Sequence, residues 1–95
     1  MKLLTDLEIE KRLTDYPDWD YHENALYTEF EFDNFKNCMS AVMRIAFECE
    51  KLNHHPDWSN VYNLLKIKLS TNDAGGVTEL DFKLAKSIEE IVEVE

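Results

Sequence analysis

Glycine and proline are scarce in this sequence, two of each in 95 residues, and lysine plus arginine total 10 against 20 aspartates and glutamates. The basic shortfall leaves a formal charge of -10. Such a charge repels phosphate backbones instead of releasing counterions from them, so no direct nucleic-acid binding is expected. The one glycine pair, Gly75-Gly76, lacks the lysine and further glycines of a phosphate-binding loop, and no serine-centred nucleophile elbow occurs. No apolar run approaches the roughly 20 residues of a membrane span. Met1 to Thr5 passes straight into an acidic segment, so neither a membrane segment nor an export signal is expected and the protein is read as soluble and cytoplasmic. Cysteine is limited to Cys38 and Cys49, about three turns apart on one expected helix and too distant to bridge. Two buried free thiols in a reducing compartment are the expectation.

What is present is a foldable composition. Hydrophobic residues make up 44% and aromatics 12%, apolar surface enough to offset chain entropy. A chain of this length has room for one compact domain, taken as residues 1-95. Its core is small, which favours self-association into a homo-oligomer.

Periodicity orders the elements. Thr5 and Glu8 form a capping-box pattern, with Leu4 and Ile9 as its hydrophobic staple, predicting a short helix over about 6-13 that ends before Pro17. From Trp19 to Phe32 the period becomes two. Leu26, Thr28, Phe30 and Phe32 share one face, Tyr27, Glu29 and Glu31 the other, and Glu23-Asn24 marks a hairpin turn. Asp33 is a good N-cap for the longest helix, about 34-52, whose Phe35, Met39, Val42, Ala46 and Cys49 follow helical spacing. A second seam of Cys38, Ile45 and Leu52 widens that stripe, either for another subunit or for deeper burial within the domain. Val61 to Ser70 alternates again, with Val61, Leu65, Ile67 and Leu69 set against Tyr62, Lys66 and Lys68. A small extra strand between Pro56 and Val61 is left open. Gly75-Gly76 breaks the chain, and Thr78 opens a last helix with Leu80, Leu84, Ile88 and Ile91 on its apolar face. Helix, hairpin, helix, strand, helix is an α+β order: an antiparallel sheet with helices packed on one face.

His54 and His55 follow the long helix directly, and Pro56 stops its continuation. On extended backbone the two rings point opposite ways, one toward a pocket and the other bracing it. Imidazole suits proton transfer because its unperturbed pKa of ~6.5 lies near neutrality. A zinc site built from Cys49, His54, His55 and Asp57 matches no common spacing, and no metal is expected.

Glu50, His54-His55-Pro56, Tyr62, Asn72 and Asp81 are separated by three, five, nine and eight residues. This pattern resembles the signature of the pterin-4a-carbinolamine dehydratases, also known as the dimerisation cofactor of a homeodomain transcription factor. The agreement runs from Trp19 through the last helix. It includes Asn53, Asp57-Trp58, Val61-Tyr62-Asn63, Leu69-Ser70-Thr71 and Gly76-Val77-Thr78. The resemblance implies a four-stranded antiparallel sheet backed by helices, assembled as a dimer or tetramer. It implies removal of water from a 4a-hydroxytetrahydropterin to give a quinonoid dihydropterin, without metal or organic cofactor. His54 is then the leading acid-base residue, His55 a second catalytic histidine that orients the pterin, Glu50 a supporting carboxylate, and Asp81 the last of the set. Thr71 and Asn72 would contact substrate, and Trp58 and Tyr62 would wall the pocket. Thr78 and Asp81 also make a capping-box pattern, so Asp81 can serve both helix and site.

Asn72 stands where the family has its third histidine, or occasionally a tryptophan. An amide still donates a hydrogen bond to the 4a-hydroxyl but does not surrender a proton at neutral pH. Two readings follow: a dehydratase relying on His54, or a non-catalytic member that binds a pterin or docks on another protein.

Overall fold

The computed structural model describes residues 1-95. Helix α1 (Asp6–Arg12) is opened by the expected capping box, with Thr5 Oγ1 accepting from the Glu8 N–H at 3.1 Å and Glu8 Oε1 from the Thr5 N–H at 2.8 Å. Strands β1 (Asp20–His22) and β2 (Ala25–Glu31) form a hairpin around Glu23-Asn24. Both turn residues are left-handed, at φ 50° and 62°, the twist that a two-residue hairpin loop requires.

Helix α2 (Phe35–Leu52) is capped by Asn34, not by Asp33. Asn34 has extended backbone and its side chain accepts from the Asn37 N–H, the third amide of the helix, at 2.8 Å, so the helix is capped one residue later than expected. The inward face of α2 also differs from the expected one. Cys38, Ala41, Ile45 and Cys49 are buried, whereas Phe35 is 47% exposed and Met39, Val42 and Ala46 flank the core. Burial pushes the Cys49 thiol up to about 11 and raises that of Cys38.

The open question after Pro56 resolves as a second hairpin, β3 (Asp57–Val61) and β4 (Leu64–Leu69), turning at Tyr62-Asn63. Val61 to Ser70 is therefore not one strand. Tyr62 adopts φ 52°, and Asn60 Nδ2 donates to the Tyr62 and Leu64 carbonyls at 2.9 and 3.0 Å, while Asn63 Nδ2 donates to the Phe32 carbonyl at 2.7 Å. Side chains thus take the place of glycine in fixing this turn.

The four strands are antiparallel in the order β1-β2-β4-β3. Leu26, Phe30, Leu65, Ile67 and Leu69 turn one face toward α2 and toward α3 (Glu79–Glu93), whose Phe82, Leu84, Ala85, Ile88 and Ile91 close the core. This is the expected α+β sheet with helices on one face. The opposite face is open, and its central rows run Asp20-Tyr27-Lys68-Asp57 and Glu29-Lys66-Ser59 across the strands. No helix is long and apolar enough to cross a membrane.

Candidate active site

The end of α2 delivers the two histidines. Asn53 adopts φ 52°, and the His54 N–H closes back on the Cys49 carbonyl at 3.0 Å, a left-handed helix ending that reverses the chain within one residue. His54 enters the interior with 8% exposure, while the side chain of His55 stays 59% exposed. The opposite pointing expected of neighbours holds, yet both rings border one cavity.

His54 Nε2 lies 2.5 Å from Asp81 Oδ1. Asp81 is fully buried, and its other oxygen, Oδ2, accepts from the Thr78 N–H and from Thr71 Oγ1, each at 2.9 Å. The two oxygens of Asp81 are used separately: Oδ2 completes the capping box of α3 and Oδ1 contacts the histidine. With backbone and hydroxyl donors already facing this carboxylate, Nε2–H of His54 is a third donor to it. Nδ1 is then the nitrogen left free to exchange a proton.

The second pair is built differently. His55 Nε2 lies 2.7 Å from Glu50 Oε1, one helical turn back, and the Glu50 side chain is 77% exposed. Its geometry rests on two exposed side chains and is screened by water, which makes it weaker as a scaffold than the buried dyad.

The cavity beside the two imidazoles holds about 320 Å³ and is bordered by Asn53, Ser70, Thr71, Asn72 and Asp73. It adjoins a mostly polar recess of about 190 Å³ between His55, Pro56, Asp57, Lys68, Ser70 and Asn72. Asn72 thus lies at the junction, on the turn that follows β4 and closes with the Thr71-Gly76 bridge. Gly75 makes that turn at φ 79°.

Of the residues singled out from sequence, His54, His55, Thr71 and Asn72 line the cavity together. Asp81 stands behind His54, and Glu50 reaches the cavity only through His55. Trp58 lies elsewhere. It pairs with Ile67, packs half-buried against the core and borders a trough on the sheet. Tyr62 is 61% exposed at the far end of β3. Sequence reasoning missed Asn53, Ser70 and Lys68 at the site. Ser70 and Lys68 were signalled by the β4 alternation, since residues sharing parity with Lys66 face away from the core.

A histidine held by a buried carboxylate, with a second histidine-carboxylate pair beside it at one cavity, is an arrangement chemically able to exchange protons with a small polar molecule. No cluster of three His, Cys, Asp or Glu side chains has the geometry of a metal site. Residues 2–91 match the family model described as Pterin 4 alpha carbinolamine dehydratase, and the chain belongs to that family. A Christiangramia forsetii protein bearing the provisional name pterin-4-alpha-carbinolamine dehydratase is 50% identical over 93 residues, 98% of this chain and 96% of that one. A Prochlorococcus marinus protein with the same provisional name is 46% identical over 91 residues, 96% of this chain and 95% of its own. The crystal structure of a transcriptional coactivator/pterin dehydratase from Brucella melitensis superposes with TM-score 0.94 at 33% identity, covering 96% of this chain and 99% of that one. A pterin dehydratase-like RuBisCO assembly factor of the alpha-carboxysome shares the fold at TM-score 0.66 and 15% identity, over 78% of this chain and 86% of its own.

Proposed function

We propose that this protein dehydrates a 4a-hydroxytetrahydropterin to the quinonoid dihydropterin, in pterin cofactor recycling, by general acid-base catalysis. The C4a–O bond breaks as the hydroxyl takes a proton and leaves as water. The ring nitrogen N5 gives up its proton to a base, and the N5=C4a double bond forms. One acid and one base at the C4a–N5 edge are sufficient, and neither metal nor organic cofactor enters the balance.

The observation that carries this reading is the 2.5 Å contact between His54 and buried Asp81 at a cavity shared with His55 and Asn72. Asp81 positions the imidazole by holding Nε2, so His54 exchanges its proton through Nδ1. His55, steadied by Glu50, serves the second proton transfer, and Thr71 and Asn72 hold the substrate. Turnover of chemically generated 4a-hydroxytetrahydropterin tests the reading: the expected result is a rate above spontaneous dehydration that His54→Ala removes. A rate equal to the spontaneous one, with dihydropterin still bound, selects the non-catalytic reading that Asn72 favours by donating a hydrogen bond without an ionisable proton.

The proposal extends to assembly as a homodimer or homotetramer. Met43 is 60% and Phe47 67% exposed on α2, and with Phe35 and Met39 they form a ridge at spacing four. Light scattering should give a mass above that of one chain, and Phe47→Glu should lower it.

A further inference from the structure

The cavity at the histidines continues onto the open face of the sheet. Asp57 and Lys68, partners across β3 and β4, border both the recess beside His55 and a separate trough of about 500 Å³. Tyr27, Ser59, Glu29 and Lys66 line that trough farther along the strands. Neither Lys66 nor Lys68 belongs to any of the ion pairs in the molecule.

The covalent structure of the substrate gives this continuity a direction. In a pterin, C6 is bonded to the same N5 that loses its proton in the proposed reaction. With the C4a–N5 edge at the histidines, a substituent on C6 starts next to the reacting atoms. The Asp57-Lys68 pair is the exit from their cavity. Two strand residues span about 6.7 Å and four about 13 Å. A three-carbon side chain therefore ends near Asp57 and Lys68, and only a longer one reaches Ser59, Lys66 and Glu29.

The lining selects the chemistry of that longer tail. Asp18, Asp20, Glu29 and Asp57 outnumber Lys66 and Lys68, so the trough disfavours phosphate or carboxylate groups. Carboxylates and ammonium groups alternating around a serine suit hydroxyls, each of which donates to the first and accepts from the second. The half-buried Tyr27 ring is stacked on His22 at 4.1 Å between centroids and has Lys68 Nζ 5.9 Å from its own, so it offers the polar lining an apolar edge against which the C–H groups of a sugar can rest. Resting on the dehydratase reading for its orientation, we propose that the trough is a subsite for a glycosyl group carried on the 6-substituent of the pterin.

Two measurements separate this subsite from the reaction itself. The first is equilibrium binding of unreactive 7,8-dihydropterins bearing a 6-methyl, a 6-trihydroxypropyl or a 6-glycosyloxyalkyl group, to wild type and to the Glu29→Ala/Lys66→Ala double variant. The second is turnover of the matching 4a-hydroxy compounds. The glycosylated ligand should bind wild type about tenfold more tightly than the methyl compound, two or so net hydrogen bonds' worth. The double variant should lose most of that gain while its affinity for the methyl compound and its turnover of the methyl substrate stay within twofold. Equal affinities for all three ligands, or an equal loss for methyl and glycosyl compounds in the double variant, would overturn the subsite. Absence of turnover with the glycosyl preference intact would instead count against the dehydratase reading alone.

Discussion

Asp81 divides its two oxygens between a helix cap and a histidine, so its substitution should be read in two currencies at once. Asp81→Asn is expected to lower kcat by about 10- to 10³-fold, since it weakens the orientation of a general acid-base group. It should also destabilise the fold by about 1-3 kcal/mol through the lost cap and disturbed buried network. Thr78→Ala separates the two effects. It should cost about 1 kcal/mol in chemical denaturation yet leave kcat within threefold, because the His54-Asp81 contact survives it. An equal loss of activity in both variants would reduce Asp81 to a structural role. At the same scale, Asn72→His should raise the rate and introduce a titration between about pH 6 and 8, because an added imidazole ionises there. A pH profile identical to that of wild type would place position 72 out of reach of the reacting edge.

Among the elements, α2 shows how far periodicity carries. Its length and amphipathic character were legible and its start to within one residue, but its inward direction was not. Two overlapping stripes, Phe35-Met39-Val42 and Cys38-Ile45-Leu52, lie on neighbouring faces, and only the sheet and α3 decide which one is covered. Ile45→Ala should therefore cost about 2-5 kcal/mol. Phe47→Ala should change the stability of the isolated chain by no more than about 0.5 kcal/mol. Urea unfolding of both, at concentrations where the chain is monomeric, checks the assignment. The second hairpin escaped sequence reading for a related reason. A two-residue loop exchanges the parity that faces the core, so Trp58 and Asn60 turn inward on β3 whereas Leu65, Ile67 and Leu69 do so on β4. With Tyr62-Asn63 at the turn and no glycine to mark it, Val61 looked continuous with Leu65. The first hairpin carried its own signal in Asn24, which tolerates left-handed backbone. The site was partly legible for the same mixture of local and non-local causes. The motif named His54, His55, Asn72 and Asp81, but the contact that sets Asp81 behind His54 depends on α3 folding back against the end of α2.

Over the whole molecule, acidic excess leaves carboxylates with few cationic partners, and Glu89 is the clearest case. Burial raises its pKa above the usual carboxylate range, against the lowering effect of the Trp19 Nε1–H bond at 2.7 Å, and Asp18 and Glu93 add to the rise. A carboxyl whose folded pKa exceeds its unfolded one holds its proton more tightly in the native state. Its stabilising contribution is thus present at acid pH and is lost as pH rises through the folded pKa. Glu89→Gln keeps an acceptor for Trp19 and removes the charge. The expected result is a Tm about 2-4 °C higher at pH 7, shrinking as pH falls toward 4, measured by calorimetry in matched buffers. A lower Tm at pH 7 would mean that the charged hydrogen bond outweighs desolvation.

The coupling of Asp81 to both helix and histidine also bears on how relatives of this chain are to be sorted. A lineage that abandoned catalysis would still need a carboxylate at this place to begin α3, so its retention is uninformative about activity. Glu50 has no such second employment: its side chain is largely in water and its hydrogen bond is to His55. In a descendant freed from chemistry, Glu50 is the residue that drift should erase first, and its presence beside His55 is the better sign that the site is still in use.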